Sequence, residues 1–270
     1  MSIYVNPTQF SIDEDFGVYP RSEVRFDPIL LSIDTHMNPC SNAIAQESDL
    51  AKLEAAGCDA VFMPTTLYHQ SSNADSSMVV GVSDGEAVDY DSHCTWVTVD
   101  HLSEGLCAGS RPHFFRGVAT VVAKLFNIVD PDAAFFGKKD YQQWRILTRM
   151  ARDLDFAIDI VGMPITREAD GLAMSSRNAL LTPEYRTSAP CIYKALEDAK
   201  AGVESGVMTD AGSVSAHIAR AIEEGGGVVD YVQVVHAENL QPVGQAGKQP
   251  TLIAVAARFG KVRLIDNIDF

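Results

Sequence analysis

Residues 132–153 read as a strand, a turn and a helix in immediate succession, and this unit restricts the fold more than any other part of the chain. Asp132-Ala133-Ala134-Phe135-Phe136 is short, apolar and aromatic, and it ends at Gly137, so it reads as a buried strand. Gly137 is expected to turn the chain. From Asp140, residues Trp144, Leu147, Met150, Ala151 and Leu154 recur at three- and four-residue steps, which predicts a helix over 140–153. Strand-like runs at 2–5, 59–63, 95–99 and 157–165 alternate with helical stretches at 47–57 and 114–129. In the last of these, Phe115, Val118, Ala119, Val122, Leu125, Phe126 and Val129 form a wide apolar face suited to core packing. Such alternation predicts an α/β fold with a parallel, doubly wound sheet.

The order changes after about residue 166. Two helical stretches, 185–204 and 211–224, precede strands at 228–235, 251–257 and 261–265, with a hairpin around Ala256–Lys261. The expected organisation is a first domain over 1–165 and a smaller α/β domain over 166–270. Residues 22–45 lack a clean period and read as an insertion into the first domain.

Lys138 and Lys139 fall between a strand end and a helix start. In an open α/β sheet, ligands bind at that edge. A helix start also presents unpaired backbone N–H groups that favour an anion. Two lysines there oppose the helix dipole unless an anion joins them. The bland alternative is a pair of solvated lysines, with Asp140 capping the helix. A second stretch adds weight to the anion: after the expected turn at Asp170-Gly171 come Met174, Ser175, Ser176, Arg177 and Asn178. Its guanidinium can fork onto phosphate oxygens and its serines can donate beside it.

The net charge of −15 argues against a general nucleic-acid or acidic-membrane binder. An anionic ligand would need a local basic focus, which Lys138, Lys139, Arg177 and Arg116 could supply. The five cysteines are odd in number and contain no Cys-x-x-Cys pair, so reduced thiols in an intracellular protein are expected. His93, Cys94, His101 and Cys107 do not follow a common zinc spacing. No apolar run approaches the ~20 residues of a membrane span, and no basic-then-apolar leader opens the chain.

On FFGKKDYQQ (135–143) and GLAMSSRN (171–178), the chain resembles the pantoate–β-alanine ligase (pantothenate synthetase) family. The resemblance extends to VNPTQF (5–10), EDFGVYPR (14–21), LAKLEAAGCDAVFMP (50–64), residues 102–132 and VRLIDNI near the end, in the family's order. FFGKKDYQQWR and SRPHFFRG look most like the plant branch. The resemblance implies a Rossmann-like nucleotidyltransferase domain of the class I tRNA-synthetase type. It implies ATP-dependent condensation of pantoate with β-alanine through a pantoyl-adenylate, with Mg²⁺, in a cytoplasmic homodimer.

Residue by residue, Gly137, Lys138, Lys139 and Asp140 match the family's ATP-binding Gly-x-Lys-Asp. Lys139 is implied as the phosphate cation, Lys138 as peripheral, and Asp140 as a holder of Mg²⁺. Gln9 and Gln143 match the pantoate-binding glutamines. Met174, Ser175, Ser176 and Arg177 match the second ATP-binding segment, with Lys139 and Arg177 in the catalytic roles. Thr166 matches a position whose backbone meets adenine. The family's first strand and His-x-Gly-His segment have no counterpart in the chain, and His36 does not replace them. The chain as written is therefore expected to be N-terminally truncated in its sheet and to have little ligase activity. The alternatives are a non-catalytic nucleotide- or pantoate-binding homologue and an adenylyltransferase with another acceptor.

Overall fold

The structure, a computed structural model, describes residues 50–59, 61–64, 67, 93–110 and 114–270. The expected strand at 2–5, Gln9 and the segment 22–45 lie outside the described residues. The chain divides into two compact units. One takes in the described residues up to Asp100, with Ser110–Ala134 and Met150–Asp159; the other holds His101–Gly109, Phe135–Arg149 and Ile160–Phe270.

In the first unit, helix α1 has 50–55 as its described residues, and α2 spans Phe114–Val129. The apolar stripe of α2 is wider than an amphipathic helix needs: every residue from Gly117 to Ala123 is buried. Thr120 explains how a polar residue is accommodated there. Its hydroxyl donates to the Arg116 carbonyl (2.7 Å) and accepts from the Val97 N–H (2.9 Å), tying the 93–99 segment to the helix. Among the described residues, 95–99, expected as a strand, carry no strand pairing, and Phe62 stands in a single bridge within the expected strand 59–63.

Strand β1 (Ala133–Gly137) passes through a 3₁₀ turn (Lys138–Asp140) into α3 (Tyr141–Asp153), and β2 (Asp159–Met163) then pairs with β1. This is a βαβ crossover between parallel strands. Gly137 departs from expectation. It is the last residue of β1, with φ −68° and ψ 128°, and an added Cβ would meet nothing. The turn is made by the three residues that follow, so the glycine leaves open space rather than supplying a left-handed corner. Packing of the crossover depends instead on Gly162 of β2, where a Cβ would lie 2.6 Å from the Trp144 ring.

The second unit contains a three-stranded antiparallel sheet, β3 (Val228–His236), β4 (Thr251–Phe259) and β5 (Val262–Asp269), in that order. β4 is central and buried at all but one position, Arg258. The β4–β5 turn needs Gly260, whose φ is +61°. Helix α4 (Pro183–Ser188) is followed by α5 (Cys191–Glu204) and α6 (Ala211–Glu224). The single stretch expected over 185–204 is thus two helices, separated at Pro190. Proline lacks the N–H for a continuing ladder. Ile192, Leu196, Val214, Ile218, Ile222, Ile253 and Phe259 are 1% exposed or less and form the core of this layer. Each such side chain contributes roughly 1.5–3 kcal/mol of transfer free energy.

Candidate functional site

The Lys138–Asp140 turn sorts its two lysines. Lys138 Nζ donates to Asp269 of β5 at 2.9 Å and lies 5.1 Å from the centre of the Trp144 ring. Lys139 is half-buried, and among the described residues its ammonium has neither hydrogen bond nor ion pair. One turn on, the two glutamines are sorted the same way. Gln142 is 5% exposed; its Nε2 donates to the carbonyls of Leu102 and Glu104 (2.9 and 3.0 Å), and its Oε1 accepts from the Cys107 N–H (3.1 Å). Gln143 is half-buried, and its side chain has no hydrogen bond among the described residues. Residues four apart share a helical face. Lys138 and Gln142 are therefore engaged by the protein, while Lys139 and Gln143 remain on the adjacent face. Asp140 is exposed at the end of the turn. Tyr141 follows, and its hydroxyl has a pKa pushed up to about 12 by burial, with the nearby Asp269 charge acting in the same direction.

The second segment is set by a narrow loop. Met174 donates to the Thr166 carbonyl at 2.9 Å, and Arg167 bridges Ala173 in antiparallel fashion. The loop turns at Gly171, whose φ is +92° and where a Cβ would meet Tyr193 at 2.7 Å. Arg186 donates to Asp170, which holds that carboxyl below its ordinary range. Arg167 forks onto Asp266 of β5, with contacts of 2.7 and 2.9 Å, and its guanidinium stacks 3.6 Å over Tyr193. Thr166 is exposed, while Met174, Ser175, Ser176 and Arg177 are half-buried. The Ser175 hydroxyl caps the 3₁₀ turn Ser176–Leu180 by accepting from the Arg177 N–H at 3.3 Å.

Both turns pack against β5, so the two cationic segments are brought to one strand. Sequence reasoning missed the residues that do this: Arg167, Asp266, Asn267 and Asp269. A signal was present in the VRLIDNI block. An Asp-Asn pair inside an apolar strand is a buried polar group in search of partners. The His93, Cys94, His101 and Cys107 group does not form a metal cluster among the described residues, and no disulfide joins the described cysteines. No helix among the described residues is long and apolar enough to cross a membrane.

A βαβ crossover with a lysine left free at its strand-to-helix turn, joined to a second Ser-Ser-Arg turn, defines an α/β protein of the nucleotide-binding class. The family model described as pantoate-beta-alanine ligase matches residues 1–32 and 43–269, and this chain belongs to that family. The unmatched stretch, 33–42, falls within the segment 22–45. The rice pantoate–β-alanine ligase is 48% identical over 271 residues, covering all of this chain and 79% of its own length. The Anaeromyxobacter dehalogenans pantothenate synthetase is 44% identical, covering 98% and 77%. Among solved structures, pantothenate synthetase from Thermus thermophilus superposes with a TM-score of 0.74 at 35% identity, covering 99% of this chain and 81% of that one. The Francisella tularensis ligase, complexed with a β-γ ATP compound and β-alanine, has a TM-score of 0.62 at 25% identity, covering 99% and 77%. The fold is the Rossmann-like nucleotidyltransferase fold of these proteins.

Proposed function

We propose that this chain condenses pantoate with β-alanine at the expense of ATP. The pantoate carboxylate attacks the α-phosphate, giving pantoyl-adenylate and pyrophosphate, and the β-alanine amine then displaces AMP. Little covalent chemistry falls to the protein. Its work is to align the groups, stabilise charge on phosphate oxygens and keep water from the mixed anhydride. The observation that carries this reading is the sorting of adjacent pairs, which leaves Lys139 and Gln143 together beside the helix start.

Lys139 is assigned to the phosphates, with backbone N–H groups of the Lys138–Asp140 turn beside it. Gln143 is assigned to pantoate, where an amide binds carboxylate and hydroxyls without adding charge. Gln9 is assigned the same ligand on resemblance. Gly137 and the backbone of Thr166 line the ATP site, the latter toward adenine, and Met174, Ser175, Ser176 and Arg177 supply its second side. Asp140 suits Mg²⁺: that ion takes one or two carboxylates and completes its shell with phosphates and water, and Asp140 is an exposed carboxylate beside the phosphate lysine. The reading includes a nucleotide- and pantoate-binding domain over 1–165, a smaller domain over 166–270, and a cytoplasmic homodimer.

Calorimetric titration tests the assignments. Lys139→Ala should weaken ATP binding about tenfold to a hundredfold, the range of one charge-assisted hydrogen bond. Gln143→Ala should weaken pantoate binding and spare ATP. Pyrophosphate release that requires pantoate, however slow, separates a ligase from a binder. ATP binding with no such release, or ATP binding indifferent to Lys139→Ala, overturns the reading.

A further inference from the structure

Asn267 is 4% exposed, on a strand whose neighbouring positions are apolar or paired. Its Nδ2 donates two hydrogen bonds, to the Lys138 carbonyl and to the Lys139 carbonyl, each 2.9 Å. Those carbonyls belong to the two peptide planes that flank the Lys139 Cα. The backbone torsions of Lys139 are rotations of these planes, so one amide group grips the lysine from both sides. Its own N–H donates to Asp266 Oδ1 at 2.8 Å, and that carboxylate holds Arg167. Arg167 opens the loop that leads to Met174–Arg177. Asp269, two residues further along β5, draws Lys138 away.

We propose that Asn267 is a positioning residue for phosphate binding: it sets the direction of Lys139 and, through Asp266, couples it to the second cationic segment. The proposal rests on the assignment of Lys139 to ATP. A lysine side chain has four rotatable bonds beyond Cα, and its aim depends on a fixed base. Asn267 never reaches the ligand, and its effect passes through Lys139.

The experiment is a double-variant cycle read by calorimetric ATP titration of the 270-residue chain, comparing Asn267→Leu, Lys139→Ala and the pair. Leucine matches the shape of asparagine and removes both donors without adding charge. The expected result is a loss of ATP affinity of roughly tenfold on Asn267→Leu in the Lys139 background, and little further loss when Lys139 is already alanine. Pantoate affinity should change much less. If Asn267→Leu does not fold, Asn267→Ser, which keeps one hydroxyl donor, replaces it in the same cycle. A wild-type chain that binds no ATP overturns the ATP assignment, and this proposal with it. A wild-type chain that binds ATP overturns the proposal alone if the Asn267 variant binds equally well. The same holds if it loses the same factor in both backgrounds, or loses pantoate and ATP affinity together.

Discussion

At the residue scale, neighbours of the same type have different work. Lys138 and Lys139 are indistinguishable by composition, yet Asp269 and Trp144 take up the first and leave the second. Lys138→Ala should therefore act on stability. It removes a partly exposed ion pair and a cation–π contact, together worth about 1 kcal/mol. Thermal unfolding should fall by a few degrees while the ATP dissociation constant stays within about twofold of wild type. Equal losses of ATP affinity from Lys138→Ala and Lys139→Ala would contradict the division. Gln142 and Gln143 repeat the pattern. In each pair the first residue is already engaged by the protein, and the proposed ligand contact falls to the second.

At the element scale, the crossover β1–α3–β2 was legible because its apolar positions keep a helical period and its flanks carry Gly and Asp-Pro. What holds α3 on the sheet was not legible, since it depends on Gly162 lying under Trp144 across 18 residues of chain. An added methyl there must displace the indole, which also receives Lys138 and Arg145 on its ring. Gly162→Ala should cost roughly 1–3 kcal/mol, the usual range for overpacking, and lower the melting temperature measurably. An unchanged melting temperature would show that the indole can move freely. The helices of the second layer are legible where a cap is visible: Asp210 accepts from the Ser213 N–H at 2.8 Å and α6 begins at the next residue. Pro190 divides α4 from α5 because its N–H is absent, a signal that the apolar period alone did not reveal.

At the scale of the whole molecule, a chain of net charge −15 holds Asp170 and Asp210 in local bonds that depress their pKa values. Asp170 is lowered chiefly by Arg186, and Asp210 chiefly by the Ser213 N–H. A carboxyl lowered in the folded state contributes stability that is fully present above its ordinary value of 3.8 and is lost as pH falls through the folded value. Melting temperature should therefore hold near neutrality and drop below about pH 4, and Asp210→Asn should flatten that drop; a variant with an unaltered acid limb would rule out this source. The β1–α3–β2 crossover, helix α2, the strands of the second layer and the two cationic segments were determined by the sequence itself, because period, turn residues and motif order are local properties of the chain. Residues 95–99 mark the limit of that reading: among the described residues this β-prone run has no paired neighbour. The tertiary structure alone decided that β5 carries the site's support. Asp266, Asn267 and Asp269 stand far along the chain from the lysines, with Asn267 128 residues from Lys139. A partner at that separation is chosen by packing of the whole second unit, which no local pattern encodes.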